Sequence, residues 1–287
     1  MYSNRIVAYI DLLGFSELVL KDGTSYSDIE AILSPFMQEV NKENDVFSLA
    51  LSGQQAAAEK RKMEYVLIQE KADLTFGSDA VVWSYPADIT NELQFSLIMM
   101  NVIHLFQSIQ ARMYRKGIVV RGGISYGRMH HGTKMIFGEA LVKAFVLEKC
   151  ANYPRIVIDA KILGGKLNHR LNKASISNDK EFYFIDYFRF LADAFRISKE
   201  FNDNEVEEIT NHLFTMELED AAKLINTGIK EPSVKVRLKY IWMYEQLNLY
   251  GLRSKVSKEI LQPISPVNLL YYRIIRYWIE TKQRFIK

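Results

Sequence analysis

The segment that most restricts the fold of this chain is an apolar run near the N-terminus, Val7 to Ser16, with the sequence VAYIDLLGFS. One carboxylate, Asp11, interrupts the run, and Gly14 ends it in a turn. A second carboxylate, Asp79, follows a Gly-Ser pair and precedes another apolar run. A carboxylate among aliphatic side chains costs free energy unless it is paired, hydrogen-bonded or bound to a cation. Two such carboxylates at strand ends predict a divalent-metal site.

Composition excludes several classes of protein without selecting one. The 287 residues are 48% hydrophobic and 25% charged, as in an ordinary globular protein, and the net charge of +3 does not favour nucleic-acid or membrane binding. The single Cys150 cannot form an intrachain disulfide, and Asp11 interrupts the N-terminal run before it could act as a signal peptide. We therefore expect a cytoplasmic protein. The apolar stretch 95–106 is shorter than the ~20 residues of a membrane span and predicts a buried core helix.

Hydrophobic periodicity predicts alternating strands and helices in the first two thirds of the chain. The predicted elements are a strand at 5–13, a helix at 26–41, strands at 64–75 and 79–85, a helix at 89–115, a strand at 118–126, its neighbour ending near 138, a helix at 139–151, and strands at 155–159 and 181–187. Residues 42–63 are polar and predict an exposed insertion. Gly77-Ser78 predicts a tight hairpin, and Lys116-Gly117 predicts the end of a helix.

This order of elements predicts an α+β fold with a ferredoxin-like βαββαβ core and an added hairpin, followed by a helical C-terminal extension. We expect one domain over residues 1–190 and the extension over 191–287. From about residue 199 the aromatic side chains recur at helical spacing, which predicts packing. In a ferredoxin-like sheet the first strand lies beside the central hairpin, so Asp11 and Asp79 can face the same cation.

Carboxylates on rigid strands suit Mg²⁺ or Mn²⁺ when water and substrate phosphates complete the coordination shell. The backbone amides at Gly14, Phe15 and Ser16 open a predicted helix, where they can hold phosphate oxygens. Together these features predict a nucleoside-triphosphate site.

Four motifs in this order resemble the catalytic domain of class III nucleotidyl cyclases. They are IDLLGFS at 10–16, FGSD at 76–79, VRGGISYG at 120–127 and FGEALVKAFVLE at 137–148, within a matched region of about residues 5–187. The resemblance implies a class III cyclase catalytic core over 1–190, with Asp11, Leu12 and Asp79 as metal ligands. It also implies a homodimer, because class III active sites form between two catalytic domains.

The chain departs from familiar purine cyclases at the positions that contact the nucleotide. Thr75 and Met135 stand where those enzymes carry the side chains that read a purine base, and Val142 and Val146 stand where they carry an Asn and an Arg. The remaining pattern resembles the pyrimidine cyclases of the bacterial Pycsar antiphage systems. That resemblance implies conversion of UTP or CTP into a 3′,5′-cyclic monophosphate, a second messenger that activates a partner effector.

The missing family arginine requires a substitute, because charge that develops on the phosphate must be neutralised. Arg121 and Arg155 are the candidates, followed by Lys143, and for each a structural ion pair remains an alternative. Tyr65 and Phe137 are candidates for narrowing the base pocket, although packing in the core is the alternative for each.

Two other functions remain open. A degenerate cyclase domain could bind nucleotide or serve as a scaffold without catalysis, and Val142 and Val146 favour that hypothesis. A polymerase-type palm also presents two carboxylates on a βαββαβ core. His130 and His131 are predicted to lie in a solvated hairpin turn rather than to bind a metal, because adjacent strand residues point to opposite faces.

Overall fold

The computed structural model describes residues 2–34, 36–38, 72–90, 92–163, 176–179, 181–199, 204–266, 269–270 and 272–275. The predicted insertion at 42–63 and the candidate Tyr65 lie outside the described residues. The chain divides into two compact units, Met1–Phe190 and Leu191–Lys287.

The first unit contains eight strands and three labelled helices among its described residues. In chain order they are β1 (Tyr2–Leu13), α1 (Phe15–Val19), β2 (Asp73–Phe76), β3 (Ala80–Pro86), α2 (Glu92–Arg115), β4 (Val119–His131), β5 (Ile136–Gly138), α3 (Glu139–Cys150), β6 (Ile156–Ile158), β7 (Ile176–Asn178) and β8 (Tyr183–Ile185). Residues 26–34 and 36–38 are also helical.

The strands form one sheet in the order β2-β3-β1-β4-β6-β8-β7, with β5 paired to β4. Strand β1 is antiparallel to both β3 and β4, and β2 is antiparallel to β3. The first four strands therefore have the order and directions of a ferredoxin-like βαββαβ core, and β4 with β5 forms the added hairpin. This arrangement confirms the predicted α+β fold class.

Alternation along β1 separates the two faces of the sheet. Ile6, Ala8 and Ile10 are buried in the main core, together with the apolar residues of α2. Burial of a large aliphatic side chain contributes roughly 1.5–3 kcal/mol. The predicted buried core helix at 95–106 is confirmed within α2, which begins at Glu92 and ends at Arg115. The opposite face carries Val7 and Asp11.

Gly123 permits helix α3 to lie directly against strand β4. A Cβ added at Gly123 would overlap the carbonyl oxygen of Ala144, would lie 2.6 Å from Cβ of Leu147 and would lie 2.8 Å from the backbone nitrogen of Glu148. No side chain fits between the strand and the helix at this point. The glycine therefore sets the distance at which α3 presents Glu148 to the sheet.

We expect Gly123→Ala to destabilise the protein by about 1–3 kcal/mol, the range for overpacking a close interface. The added methyl group meets backbone atoms, which cannot rotate away as a side chain can. Urea unfolding followed by circular dichroism measures the effect. Gly77→Ala is a matched control, because its added Cβ would meet the carbonyl oxygen of Ala80 at 3.3 Å. Equal stability of the two variants would contradict the close approach of α3.

Strand β4 and the last predicted strand end at residues other than those predicted. Strand β4 continues through His131, because Tyr2 of β1 pairs with His130 and Ile136 of β5 pairs with His131. The two histidines therefore lie on a strand and not in a solvated turn. The last predicted strand, 181–187, ends earlier, since the Asp186 carboxylate accepts a hydrogen bond from the Arg189 amide at 3.0 Å and a helix begins.

The second unit is helical. Helix α4 (Tyr187–Ser198) contains the boundary between the units, and α5 (Asn204–Gly228) and α6 (Val234–Leu249) follow. Trp242, Tyr244 and Tyr272 are buried, which confirms the prediction that these aromatic residues pack in a core. Among the helices that the structure describes, none combines the length and hydropathy needed to cross a membrane.

Candidate active site

The structure brings Asp11 and Asp79 together at neighbouring strand ends. Asp11 pairs with Ala80 in the register between β1 and β3, and the Leu12 amide donates to the Asp79 carbonyl at 2.9 Å. Both carboxylates are partly exposed. The side chain of Leu12 is buried, so this residue can offer only its backbone carbonyl to a cation.

The turn after β1 is tied to the second carboxylate. Gly14 has φ of 87°, in the left-handed region, and begins the short helix α1. The Ser16 hydroxyl donates to Oδ2 of Asp79 at 3.4 Å, and the Ser78 hydroxyl donates to Oδ1 at 3.0 Å. The Phe15 ring is buried in the core, so Phe15 can contribute to a ligand site only through its backbone.

Arg121 lies directly opposite Asp11 in the register between β1 and β4. One terminal nitrogen, Nη2, donates to Oδ2 of Asp11 at 2.8 Å and also contacts Oε1 of Glu148. Glu148 is fully buried on α3. The structure thus places a guanidinium between an accessible carboxylate and a buried one.

Sequence reasoning missed Glu148 as a functional residue. It is the acidic end of the segment AFVLE in α3, and a charged residue within an apolar helix segment was the available signal. Its oxygens have ionic contacts with Arg121 and with Nζ of Lys149 at 3.3 Å, but no aligned hydrogen-bond donor among the described residues. Glu148 therefore depends on Coulomb attraction for compensation.

The site carries more negative than positive charge. The carboxylates of Asp11 and Glu148 share the Arg121 guanidinium, and the Asp79 carboxylate accepts hydrogen bonds from the Ser16 and Ser78 hydroxyls. Burial, followed by the charges of Glu148, Asp79 and Asp11, raises the pKa of the nearby Tyr9 phenol above its ordinary value. A negative field in a partly buried site favours a bound cation.

The donor set fits a hard divalent cation that is shared with a substrate. Asp11, Asp79 and the Leu12 carbonyl offer only oxygen atoms, which are the ligands that Mg²⁺ and Mn²⁺ prefer. The part of the chain that the structure describes contains no cluster of three or more His, Cys, Asp or Glu residues suited to a metal ion. Phosphate oxygens and water would have to complete the shell.

Arg155 and Lys143 make contacts away from these carboxylates. Arg155 is 2% exposed, forms an ion pair with Asp179 and donates from Nε to the Ala151 carbonyl at 3.1 Å. Its guanidinium also lies near three aromatic rings, at centroid distances of 5.6 Å, 5.5 Å and 5.0 Å for Tyr153, Phe182 and Phe184. This is the geometry of the structural ion pair that sequence reasoning left open. Lys143 forms an ion pair with Glu139 along α3.

His131 joins a polar network on β2 and β3. Its Nε2 lies 2.8 Å from the Thr75 hydroxyl, and its Nδ1 lies 2.7 Å from the Ser84 hydroxyl. The Arg5 side chain donates to the same Ser84 hydroxyl at 2.8 Å. Thr75, which occupies a base-reading position in the resemblance, is therefore held by a histidine from another strand.

We expect His131 to make stability depend on pH. Burial is the largest cause that lowers the pKa of His131; Arg5 and His130 lower it further, and Asp73 opposes them. Because the unfolded chain binds this proton more readily, stability is full above the unfolded pKa of about 6.5 and falls as pH decreases through the folded pKa. Urea unfolding between pH 7.5 and 5 should show a shallower loss in His131→Gln. Identical slopes in both proteins would contradict this assignment.

Apolar side chains form an exposed surface on α3 and the β4–β5 hairpin. Met135, Phe137, Val142 and Val146 are each at least half exposed. The Phe137 ring stacks on Tyr2 at a centroid distance of 5.9 Å. Three of these residues, Met135, Val142 and Val146, occupy positions that contact the nucleotide in purine cyclases, and here each presents an exposed apolar side chain.

Comparisons with known proteins identify no family. Neither the known protein families nor the curated proteins include a match to this chain. Solved structures do match, and the crystal structure of the guanylyl cyclase Cya2 is among them. That match has 11% identity and a TM-score of 0.38, and it covers 65% of this chain and 92% of Cya2. Strand order and direction, not this match, define the fold class.

Proposed function

We propose that this protein is a class III-type nucleotide cyclase that converts UTP or CTP into the 3′,5′-cyclic monophosphate and pyrophosphate. The observation that carries the proposal is the adjacency of Asp11 and Asp79 at the ends of β1 and the β2–β3 hairpin, with Arg121 beside them. A carboxylate pair with a neighbouring guanidinium can accept a triphosphate together with its cation.

The proposed cofactor is Mn²⁺ or Mg²⁺, held by Asp11, Asp79 and the Leu12 carbonyl. When bound, such an ion neutralises phosphate charge and lowers the pKa of the ribose 3′-hydroxyl. The remaining chemistry requires little from protein side chains. The 3′-oxygen forms a bond to the α-phosphorus, the bond from that phosphorus to the bridging oxygen breaks, and the hydroxyl proton passes to water.

The chain's own residues then act by position and charge. The Arg121 guanidinium lies beside the Asp11 carboxylate. Arg121 is therefore the candidate residue that stabilises negative charge on the phosphates. Backbone amides at Gly14, Phe15 and Ser16 are proposed to bind phosphate oxygens, and the hydrogen bond from Ser16 to Asp79 supports this role. Arg155 is assigned a structural role here, because its charge is taken up by Asp179. Lys143 remains a weaker candidate for substrate binding.

The choice of a pyrimidine nucleotide rests on the departures from purine cyclases at Thr75 and Met135. The Thr75 hydroxyl is already engaged by His131, which supports a base site unlike that of purine enzymes. As in the Pycsar systems that the sequence resembles, the cyclic product would act as a second messenger in antiphage defence and activate an effector in the cytoplasm. No nucleic-acid or membrane partner is proposed.

The proposed assembly is a homodimer. Class III sites require two catalytic domains, and the residues that the structure describes form one such core. The exposed apolar surface of Met135, Phe137, Val142 and Val146 supports association, because a surface of this kind is stabilised by burial against another protein.

A screen of four nucleotides tests the proposal. Purified protein with Mn²⁺ is incubated separately with ATP, GTP, CTP and UTP, and products are identified by mass and chromatography. Cyclic UMP or cyclic CMP with equimolar pyrophosphate is the expected result. A linear or dinucleotide product would indicate the polymerase-type alternative, and absence of all products from folded protein would overturn the cyclase proposal.

A nucleotide-sensing or scaffolding module is the second candidate function. Exposed Val142 and Val146 favour it, because valine cannot orient ribose or stabilise phosphate charge. Calorimetric titration separates the two functions. Tight nucleotide binding without turnover would support the module, whereas turnover with any single nucleotide would exclude it.

A further inference from the structure

Glu148 is a buried carboxylate to which the proposed reaction assigns no role. It is 0% exposed on α3, where Ala144 is equally buried and the packing against β4 is close. A buried carboxylate is unfavourable unless a positive charge compensates it, whereas an apolar side chain of similar volume would avoid that cost. Its described ionic partners are Arg121 and Lys149.

The same nitrogen of Arg121 contacts two carboxylates. Nη2 lies 2.8 Å from Oδ2 of Asp11 and also contacts Oε1 of Glu148. The Asp11 side chain is 16% exposed and Glu148 is fully buried, so a cation that arrives from solvent can reach Asp11 but not Glu148. That cation and the guanidinium would compete for the Asp11 oxygens and would repel each other.

Arg121 also retains an unused donor. Its Nε is buried and has no hydrogen-bond partner among the described residues. An arginine released from Asp11 can rotate and use this donor, provided that a second carboxylate keeps the guanidinium at the site. Glu148 is the residue in position to do so.

We propose that Glu148 is a positioning residue that holds Arg121 when a divalent cation takes Asp11. The inference rests on the proposed function, because it assumes that Asp11 and Asp79 bind the cation. In the cation-free protein, Arg121 is divided between Asp11 and Glu148. Cation binding transfers it to Glu148, so the guanidinium stays beside the carboxylates and becomes available to the triphosphate. Glu148 thereby lowers the cost of displacing Arg121 from Asp11.

A double-mutant cycle on Mn²⁺ affinity tests this role without any nucleotide. The proteins are the wild type, Glu148→Gln, Arg121→Gln and the double variant, and free Mn²⁺ is measured by electron paramagnetic resonance. Glu148→Gln should weaken binding about fivefold, because Arg121 then depends on Asp11 alone. Arg121→Gln should tighten binding about fivefold, because the competitor is gone. Near-ultraviolet circular dichroism checks that each protein is folded.

The cycle separates positioning from a general loss of negative charge. If Glu148 acts through Arg121, Glu148→Gln should change affinity less than about twofold in the Arg121→Gln background. Lys149→Met is the matched control, since Lys149 contacts Oε2 of Glu148 at 3.3 Å but is largely exposed. The Mn²⁺ affinity of Lys149→Met should stay within about twofold of that of the wild type.

Equal effects of Glu148→Gln in both backgrounds would overturn the inference and leave the cyclase proposal standing. Absence of Mn²⁺ binding in all four proteins would also overturn it, while the four-nucleotide screen decides the reaction independently. If the effect of Glu148→Gln on Mn²⁺ affinity depends on Arg121 but the screen yields no cyclic product, the positioning role of Glu148 is supported and the cyclase proposal is rejected. If Glu148→Gln does not fold, Arg121→Gln alone still tests the inference. Failure of Arg121→Gln to tighten Mn²⁺ binding would show that Arg121 does not compete with the cation for Asp11, and would overturn the inference.

Discussion

Asp79→Asn is expected to reduce cyclic-nucleotide formation by at least about a hundredfold, the scale for removing one preorganised electrostatic group from an active site. The amide keeps the shape of the side chain, and its oxygen can still accept from one serine hydroxyl while its NH2 group donates to the other. It loses the charge that a divalent cation requires. Product formation is measured with the best nucleotide from the screen over a range of Mn²⁺ concentrations.

The fold should survive this change, because Asp79 is partly exposed and no ion pair joins it to another described residue. Asp22→Asn is the matched control, since Asp22 is an exposed carboxylate in the turn after α1. It should retain wild-type turnover. Full activity of Asp79→Asn at limiting Mn²⁺ would remove Asp79 from the metal site.

Arg121→Met is expected to destabilise the protein by about 3 kcal/mol, because it leaves the buried Glu148 without its guanidinium partner. Turnover should also fall by about a hundredfold or more through loss of phosphate stabilisation. Denaturation in guanidinium chloride measures the loss of stability, and initial rates of product formation measure the loss of turnover.

The double variant Arg121→Met with Glu148→Met should recover most of the lost stability, because a buried ion pair can be replaced by apolar side chains at little cost. It should not recover turnover. This split distinguishes the two roles of Arg121. Equal stability of Arg121→Met and the wild type would contradict the claim that Arg121 on β4 compensates the buried charge of Glu148 on α3.

Most of the fold could be predicted because its signals are local. Alternation in β1, the turn at Gly77-Ser78 and the helical spacing before Gly117 each depend on residues close in sequence. The helix α2 and the β2–β3 hairpin were therefore recognised, and the order of elements was enough to predict the ferredoxin-like sheet. The end of β4 was not recognised, because it depends on pairing with Tyr2 and Ile136.

The candidate site was only partly predictable for the same reason. Arg121 and Arg155 were indistinguishable in sequence, since each is a basic residue beside a strand. Their roles differ through their partners, which are Asp11, 110 residues away from Arg121, and Asp179, 24 residues away from Arg155. Glu148 was overlooked, because its burial depends on the close approach at Gly123.

The amino-acid sequence by itself determined the α+β class and the placement of Asp11 and Asp79 at neighbouring strand ends, because strand alternation and turn chemistry are short-range properties. Only the tertiary structure decided that Arg121 lies between Asp11 and the buried Glu148, and that Arg155 belongs to Asp179. Charge pairing between distant elements depends on how closely a helix packs on the sheet, and that distance is a property of the folded chain.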